Sequence, residues 1–265
     1  MSLNAIKAAF EKAHSEGRKA LMPFLMSGHP DAEGFARNLA EAGRYADVIE
    51  VGVPFSDPLA DGPVIQAAAA QALKAGTSLA STLAAIARRK SGPPVVLMLS
   101  FNQVLAHGLD EFAARLAEAG VSGAIVPDLP FEESDALQLA FTQHGLAFVS
   151  MLAPTTCASR MKTILEQAYG FVYLISVAGV TGTRDTYPSE TIEYIRTAAQ
   201  IARVPVCVGF GISKPQHIEQ LREHAAGFIV GSALIRSIDQ GGTIADILAP
   251  LREACDATIT TGTNQ

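Results

Sequence analysis

Two hydrophobic patterns alternate along this chain. Short, almost wholly apolar runs occupy residues 20–26, the stretch opening at Asp47, and residues 94–99, 123–126, 146–152, 171–176, 206–209 and 227–230. Such runs, bounded by Gly, Pro, Asn and Asp, read as strands buried on both faces. Between them, apolar residues recur every three or four positions in 32–42, from about Val64, and in 78–89, 109–119, 132–144, 159–168, 191–201, 214–223 and 243–254, which predicts amphipathic helices. Strand and helix therefore alternate eight times, as in a parallel sheet with helices packed outside it. Eight such units predict a closed (β/α)8 TIM barrel, class α/β, over an open doubly wound sheet, and no GxGxxG follows the first strand. An extra amphipathic helix at 3–16 precedes the first strand and is expected to cover the bottom of the barrel. One domain over 1–265 is expected, with a polar tail at about 258–265.

The strand after Asp47 breaks the apolar rule once. Alternation puts Val48 and Glu50 on one face and Ile49 and Val51 on the other, so Glu50 is a carboxyl in an apolar strand. Burial there raises a carboxyl's pKa into the range where it can both give and take a proton. The residues also admit a structural acid held by backbone donors or a basic partner, although no Lys or Arg lies between Arg44 and Lys74. The loop that follows carries Asp57 and Asp61 among Pro54, Pro58, Gly62 and Pro63. Turn formation and helix capping are the plain alternatives for both aspartates, weaker for Asp61 because Gly62-Pro63 already supplies a turn and a helix start. In a barrel the chemistry belongs at the carboxyl ends of the strands, and Glu50, Asp61, Asp128 and Tyr173 all fall there.

Three small-residue segments follow the last three strands: AGVTGT at 178–183, GFGIS at 209–213, and Gly231-Ser232 before a short helix at 233–237. Glycines allow backbone N–H groups close to phosphate oxygens, and a helix start adds the positive end of its dipole. Each glycine alone is also an ordinary turn residue; three at adjacent strand ends point to an anion cradle.

Composition narrows the ligand. A formal charge of −6 and a pI near 5.5 disfavour nucleic acid and anionic membrane surfaces, leaving a small molecule. With 49% hydrophobic residues the chain can bury a large core, yet no apolar stretch approaches a membrane span. The first residues show no secretory pattern, so a cytoplasmic location is expected. Cys157, Cys207 and Cys255 are widely spaced, and the six histidines lack HxH or HExxH spacing, so neither disulfides nor a metal site is expected.

Taken together, PFLMSGHP, the Asp47 to Gln66 block, PDLPFEES at 127–134, YLISVAGVTGT at 173–183, GFGIS and GSA closely resemble the tryptophan synthase alpha chain family over residues 21–237. The resemblance implies a lyase that cleaves indole-3-glycerol phosphate, with Glu50 as general acid-base and Asp61 acting on the indole nitrogen. It implies phosphate binding by Gly182, Gly211, Gly231 and Ser232, and an indole pocket lined by Phe24, Leu99, Tyr173 and Phe210. Phe24 and Leu99 also read as plain barrel core, whereas a buried Tyr173 hydroxyl needs a partner. The loop at 180–188, with Thr181, would be a lid. No cofactor is implied on this chain; pyridoxal phosphate is expected on a partner beta chain in an α2β2 assembly, docked through Asp57, Pro58, Leu59 and the region of Asn102. The chain departs from residues common in the family at His29, Ser100 and Val177. A non-catalytic subunit that only activates the beta chain is the alternative, and the retained Glu50 and Asp61 speak against it. Other phosphate-binding barrels would carry basic catalytic residues at the strand ends, which this chain lacks.

Overall fold

The computed structural model describes residues 2–58, 61–175, 186–209 and 211–257. Among the described residues nine strands form one parallel sheet: β1 Ala20–Met26, β2 Ile49–Gly52, β3 Val95–Met98, β4 Gly123–Ile125, β5 Ala147–Phe148, β6 Ser150–Leu152, β7 Val172–Ile175, β8 Val206–Gly209 and β9 Gly227–Val230. Their spatial order is β5-β4-β3-β2-β1-β9-β8-β7-β6. The two ends of that order, β5 and β6, are consecutive in the chain and separated only by Val149, so the sheet closes on itself as a barrel.

The strand expected at 146–152 is thus divided. Its first half pairs with β4 through Gly123↔Ala147 and Ala124↔Phe148, and its second half pairs with β7 through Ser150↔Val172 and Leu152↔Leu174. The Val149 N–H still donates to Ala124 O at 2.9 Å, so the two halves are continuous. Barrel stagger accounts for the change of partner, because tilted strands meet their two neighbours at different heights.

Alternation along each strand sorts the core into two layers. Outward-facing residues such as Leu21, Ile49, Val51, Leu97 and Phe228 pack against Phe35, Leu39, Phe112, Leu248 and other helix residues. Met22, Val48, Val96, Ile125, Val149, Phe171, Cys207 and Ile229 fill the lumen. The first helix, Ser2–Ser15, places Ile6, Phe10 and Ala13 in that same lumen cluster, so it covers the floor as expected. Burying each of these large side chains contributes about 1.5–3 kcal/mol.

Charge also holds the floor. Asp47, just before β2, receives bonds from Arg18 Nη1, from Arg252 Nη1 at 2.8 Å and from the Leu21 N–H at 2.9 Å. Arg252, on the helix Ile244–Asp256, also donates to Lys19 O at 2.7 Å. The start of β1, the start of β2 and the last helix are thereby tied together. Among the described residues, no helix is long and apolar enough to cross a membrane.

Candidate active site

Glu50 is 1% exposed, on β2, in register with Phe24 of β1 and Val96 of β3. It faces the lumen two residues beyond Val48, and neither carboxyl oxygen has a hydrogen-bond partner among the described residues. Among the described residues, neither backbone nor a base holds this acid, as the structural alternative would require. Desolvation by burial, and then the charge of Asp61, push its pKa up to about 8.

Asp61 stands two residues before the helix Pro63–Lys74, whose Gln66 side chain donates to Asp61 O at 2.8 Å. Gly62 is that helix's N-cap residue, so the Asp61 side chain does not cap it. Burial raises its pKa as well. Tyr173, on β7 beside Met151 and Cys207, has its hydroxyl pKa pushed well above the usual range by burial, then by Glu50, then by Asp61. Glu50 thus feels the charge of Asp61, and Tyr173, distant in sequence, feels both.

The aromatic side chains are seated by glycines on neighbouring strands. A β-carbon on Gly52 would lie 2.6 Å from Phe24 Cζ, and one on Gly209 would lie 2.5 Å from the Tyr173 hydroxyl. The side-chain space missing at each glycine is where the ring lies. Above them, Phe24, Leu99 and Asp61 line one cavity together with Ser100, Pro127 and Asp128. Gly52 also borders this cavity, so Glu50 lies one pleat deeper on the same face of β2. Asp57 and Pro58 line its rim, and Asn102 is exposed on the short helix Phe101–Leu105.

On the opposite side of Phe24 lies the end of β9. A β-carbon on Gly231 would stand 3.5 Å from Phe24 Cβ, an ordinary contact, and Ser232 begins the helix Ser232–Asp239. Gly211, after the adjacent β8, has φ +68° and open space where a side chain would stand. The structure therefore brings Gly211, Gly231 and Ser232 to neighbouring strand ends at a helix start, a geometry that receives anions. The far end of that helix meets the turn after β1: His29 Nε2 is buried, 3.0 Å from Asp239 Oδ1. Leu59, Val177, Thr181, Gly182 and Phe210 lie outside the described residues, as do most of the lid and the tail.

Sequence patterning passed over one set of contacts. Asp128 accepts from Ser100 Oγ at 2.6 Å and from the Phe101 N–H at 2.8 Å. The signal was the S-x-x-Q spacing of Ser100 and Gln103, which forms a capping box on a helix too short for periodicity to reveal. Among the described residues, no group of three or more His, Cys, Asp or Glu is placed to hold a metal.

A family profile for the tryptophan synthase alpha chain matches residues 10–258. The tryptophan synthase alpha chain of Carboxydothermus hydrogenoformans is 44% identical over 242 residues, 89% of this chain and 90% of the relative. A structure of Mycobacterium tuberculosis tryptophan synthase superposes with TM-score 0.89 at 33% identity, covering 95% of this chain and 98% of the other. The tryptophan synthase complex from Pyrococcus furiosus gives TM-score 0.81 at 34% identity, covering 88% of this chain and 98% of the other. On the match along its length and the agreement in fold, the chain belongs to the tryptophan synthase alpha chain family.

Proposed function

We propose that this protein is a carbon-carbon lyase that cleaves indole-3-glycerol phosphate to indole and glyceraldehyde 3-phosphate, the alpha reaction of tryptophan biosynthesis. The observation that carries the reading is Glu50: a buried carboxyl with no hydrogen-bond partner among the described residues, inside an apolar lumen, its pKa pushed up to about 8, within the field of a second carboxyl.

A retro-aldol cleavage needs what this pair offers. Indole C3 must gain a proton, the adjoining hydroxyl of the glycerol chain must lose one, and the bond between those carbons breaks as the hydroxyl carbon becomes an aldehyde. Positive charge appears on the ring nitrogen in between. Glu50, protonated near neutral pH, donates to C3 and recovers a proton from the hydroxyl. Asp61, ionised, stabilises the charged nitrogen, so two carboxyls take different roles because their surroundings differ. Phe24 and Leu99 enclose the apolar ring, with Tyr173 and Phe210 completing the pocket. Gly182, Gly211, Gly231 and the Ser232 helix start hold the phosphate, and the loop with Thr181 closes over substrate and excludes water. The step consumes neither water nor electrons and asks for no cofactor on this chain.

The barrel reads as one domain, working at a cytoplasmic location with a beta chain that carries pyridoxal phosphate, in an α2β2 assembly. Asp57 and Pro58 on the cavity rim, with Leu59 and the exposed Asn102, would meet that partner. Incubating the purified chain with indole-3-glycerol phosphate tests the reading: indole should be released, and its absence with and without the beta chain would overturn it.

A further inference from the structure

We propose that Asp128 is a positioning residue for this reaction: through Ser100, Phe101 and Gln103 its carboxylate holds the root of the loop that presents Asp61. The inference rests on the role given to Asp61 above and adds a residue to it.

Asp128 lies three residues beyond β4, and both of its oxygens are engaged by donors just beyond β3, Ser100 Oγ–H at 2.6 Å and Phe101 N–H at 2.8 Å. The next link runs through Gln103. Its Oε1 accepts from the Ser100 N–H at 3.3 Å, and its Nε2 donates to Pro54 O at 3.3 Å. Pro54 is two residues beyond β2, in the segment that leads to Asp61. Three consecutive strand ends are thus joined side by side by polar contacts that start at one carboxylate.

The barrel itself does not need this chain of contacts. β3 and β4 are already paired from Val96↔Gly123 to Met98↔Ile125, and the Leu99 N–H continues the ladder to Ile125 O at 3.2 Å. What the Asp128 contacts add lies above the ladder, around the cavity that Ser100, Asp128 and Asp61 border together. A charged acceptor makes the stronger kind of hydrogen bond, so the link is suited to keeping a loop in place. Because Asp61 acts on charge that develops only during cleavage, misplacing it should cost turnover and leave substrate affinity nearly alone.

The experiment compares Asp128→Ala, Gln103→Ala and the double variant with the unmodified protein in steady-state indole release. Asp128→Ala should lower kcat by about tenfold or more with KM within about twofold, since small displacements of catalytic groups are costly. Gln103→Ala should act in the same direction and less strongly. The double variant should resemble Asp128→Ala alone, because both changes break one series of contacts. An unchanged kcat in Asp128→Ala, or effects that multiply in the double variant, would overturn the proposal. Should Asp128→Ala fail to fold, Ser100→Ala removes the bond to Asp128 together with the longer one from the Asn102 N–H at 3.4 Å, and is read by the same criterion, a lower kcat at unchanged KM supporting the link and an unchanged kcat overturning it. Failure of the unmodified protein to release indole would instead strike the proposed reaction.

Discussion

Tyr173 lies against Gly209 so closely that a β-carbon at that glycine would stand 2.4 Å from its ring. The two residues sit on adjacent strands, β7 and β8, and the ring fills the space that a side chain at 209 would take. Gly209→Ala must therefore displace the ring, at a cost of about 1–3 kcal/mol in stability. We expect kcat/KM to fall with it, and to fall little further when Tyr173→Phe is added. Unchanged kinetics in Gly209→Ala would show that the ring's position is irrelevant to cleavage.

Glu50→Gln should lose at least about a hundredfold in kcat, the lower end of what a positioned acid-base contributes, while substrate still binds. Turnover near the unmodified level would remove Glu50 from the mechanism.

The same substitution should make the protein more stable. A carboxyl whose pKa is 4.5 when solvated and about 8 when folded binds its proton more tightly in the folded state. Its contribution is therefore fully present below pH 4.5 and is lost as pH rises toward 8. By pH 7 the loss is about 3 kcal/mol, and Gln, which has no proton to lose, escapes it. Urea midpoints of the two proteins should coincide near pH 4 and separate as pH rises; parallel curves would contradict the raised pKa.

Asp61→Asn should lose most of the activity and also lower the pKa of Glu50, because the Asp61 charge helps to raise it. In the unmodified protein, kcat/KM should decline on the alkaline side near pH 8 as Glu50 loses its proton. That limb should move to lower pH in the residual activity of Asp61→Asn. A limb that stays in place would separate the two groups.

Ser232→Asp places a carboxylate at the start of the helix Ser232–Asp239, where the proposed phosphate sits. KM for indole-3-glycerol phosphate should rise about tenfold or more through like-charge repulsion, with a smaller change in kcat. An unchanged KM would move the phosphate elsewhere.

Away from the site, Asp47→Ala should cost about 1–3 kcal/mol, because Arg18, Arg252 and the Leu21 N–H lose their shared acceptor while Arg18 keeps Glu16 and Arg252 keeps Asp256. Activity per folded molecule should be retained. A urea midpoint equal to that of the unmodified protein would show the pair to be dispensable.

The parts of this molecule readable in advance are those written in local pattern. Apolar runs gave the strands, and the carboxyl at Glu50 stood out because its neighbours are all apolar. What escaped is what joins distant segments. Asp47 meets Arg252 across 205 positions, and Asp128 meets Ser100 across 28, and no window on the sequence spans either. The change of partner at Val149 escaped too, because it follows from barrel stagger rather than from any residue at the break. His29 faces Asp239 at the other end of a helix it does not adjoin in sequence.

The first helix stoppers the barrel with Ile6, Phe10 and Ala13. With its base plugged there, the barrel offers Glu50 no approach from below, so whatever meets that carboxyl comes from the end of the strands where Asp57 and Pro58 stand.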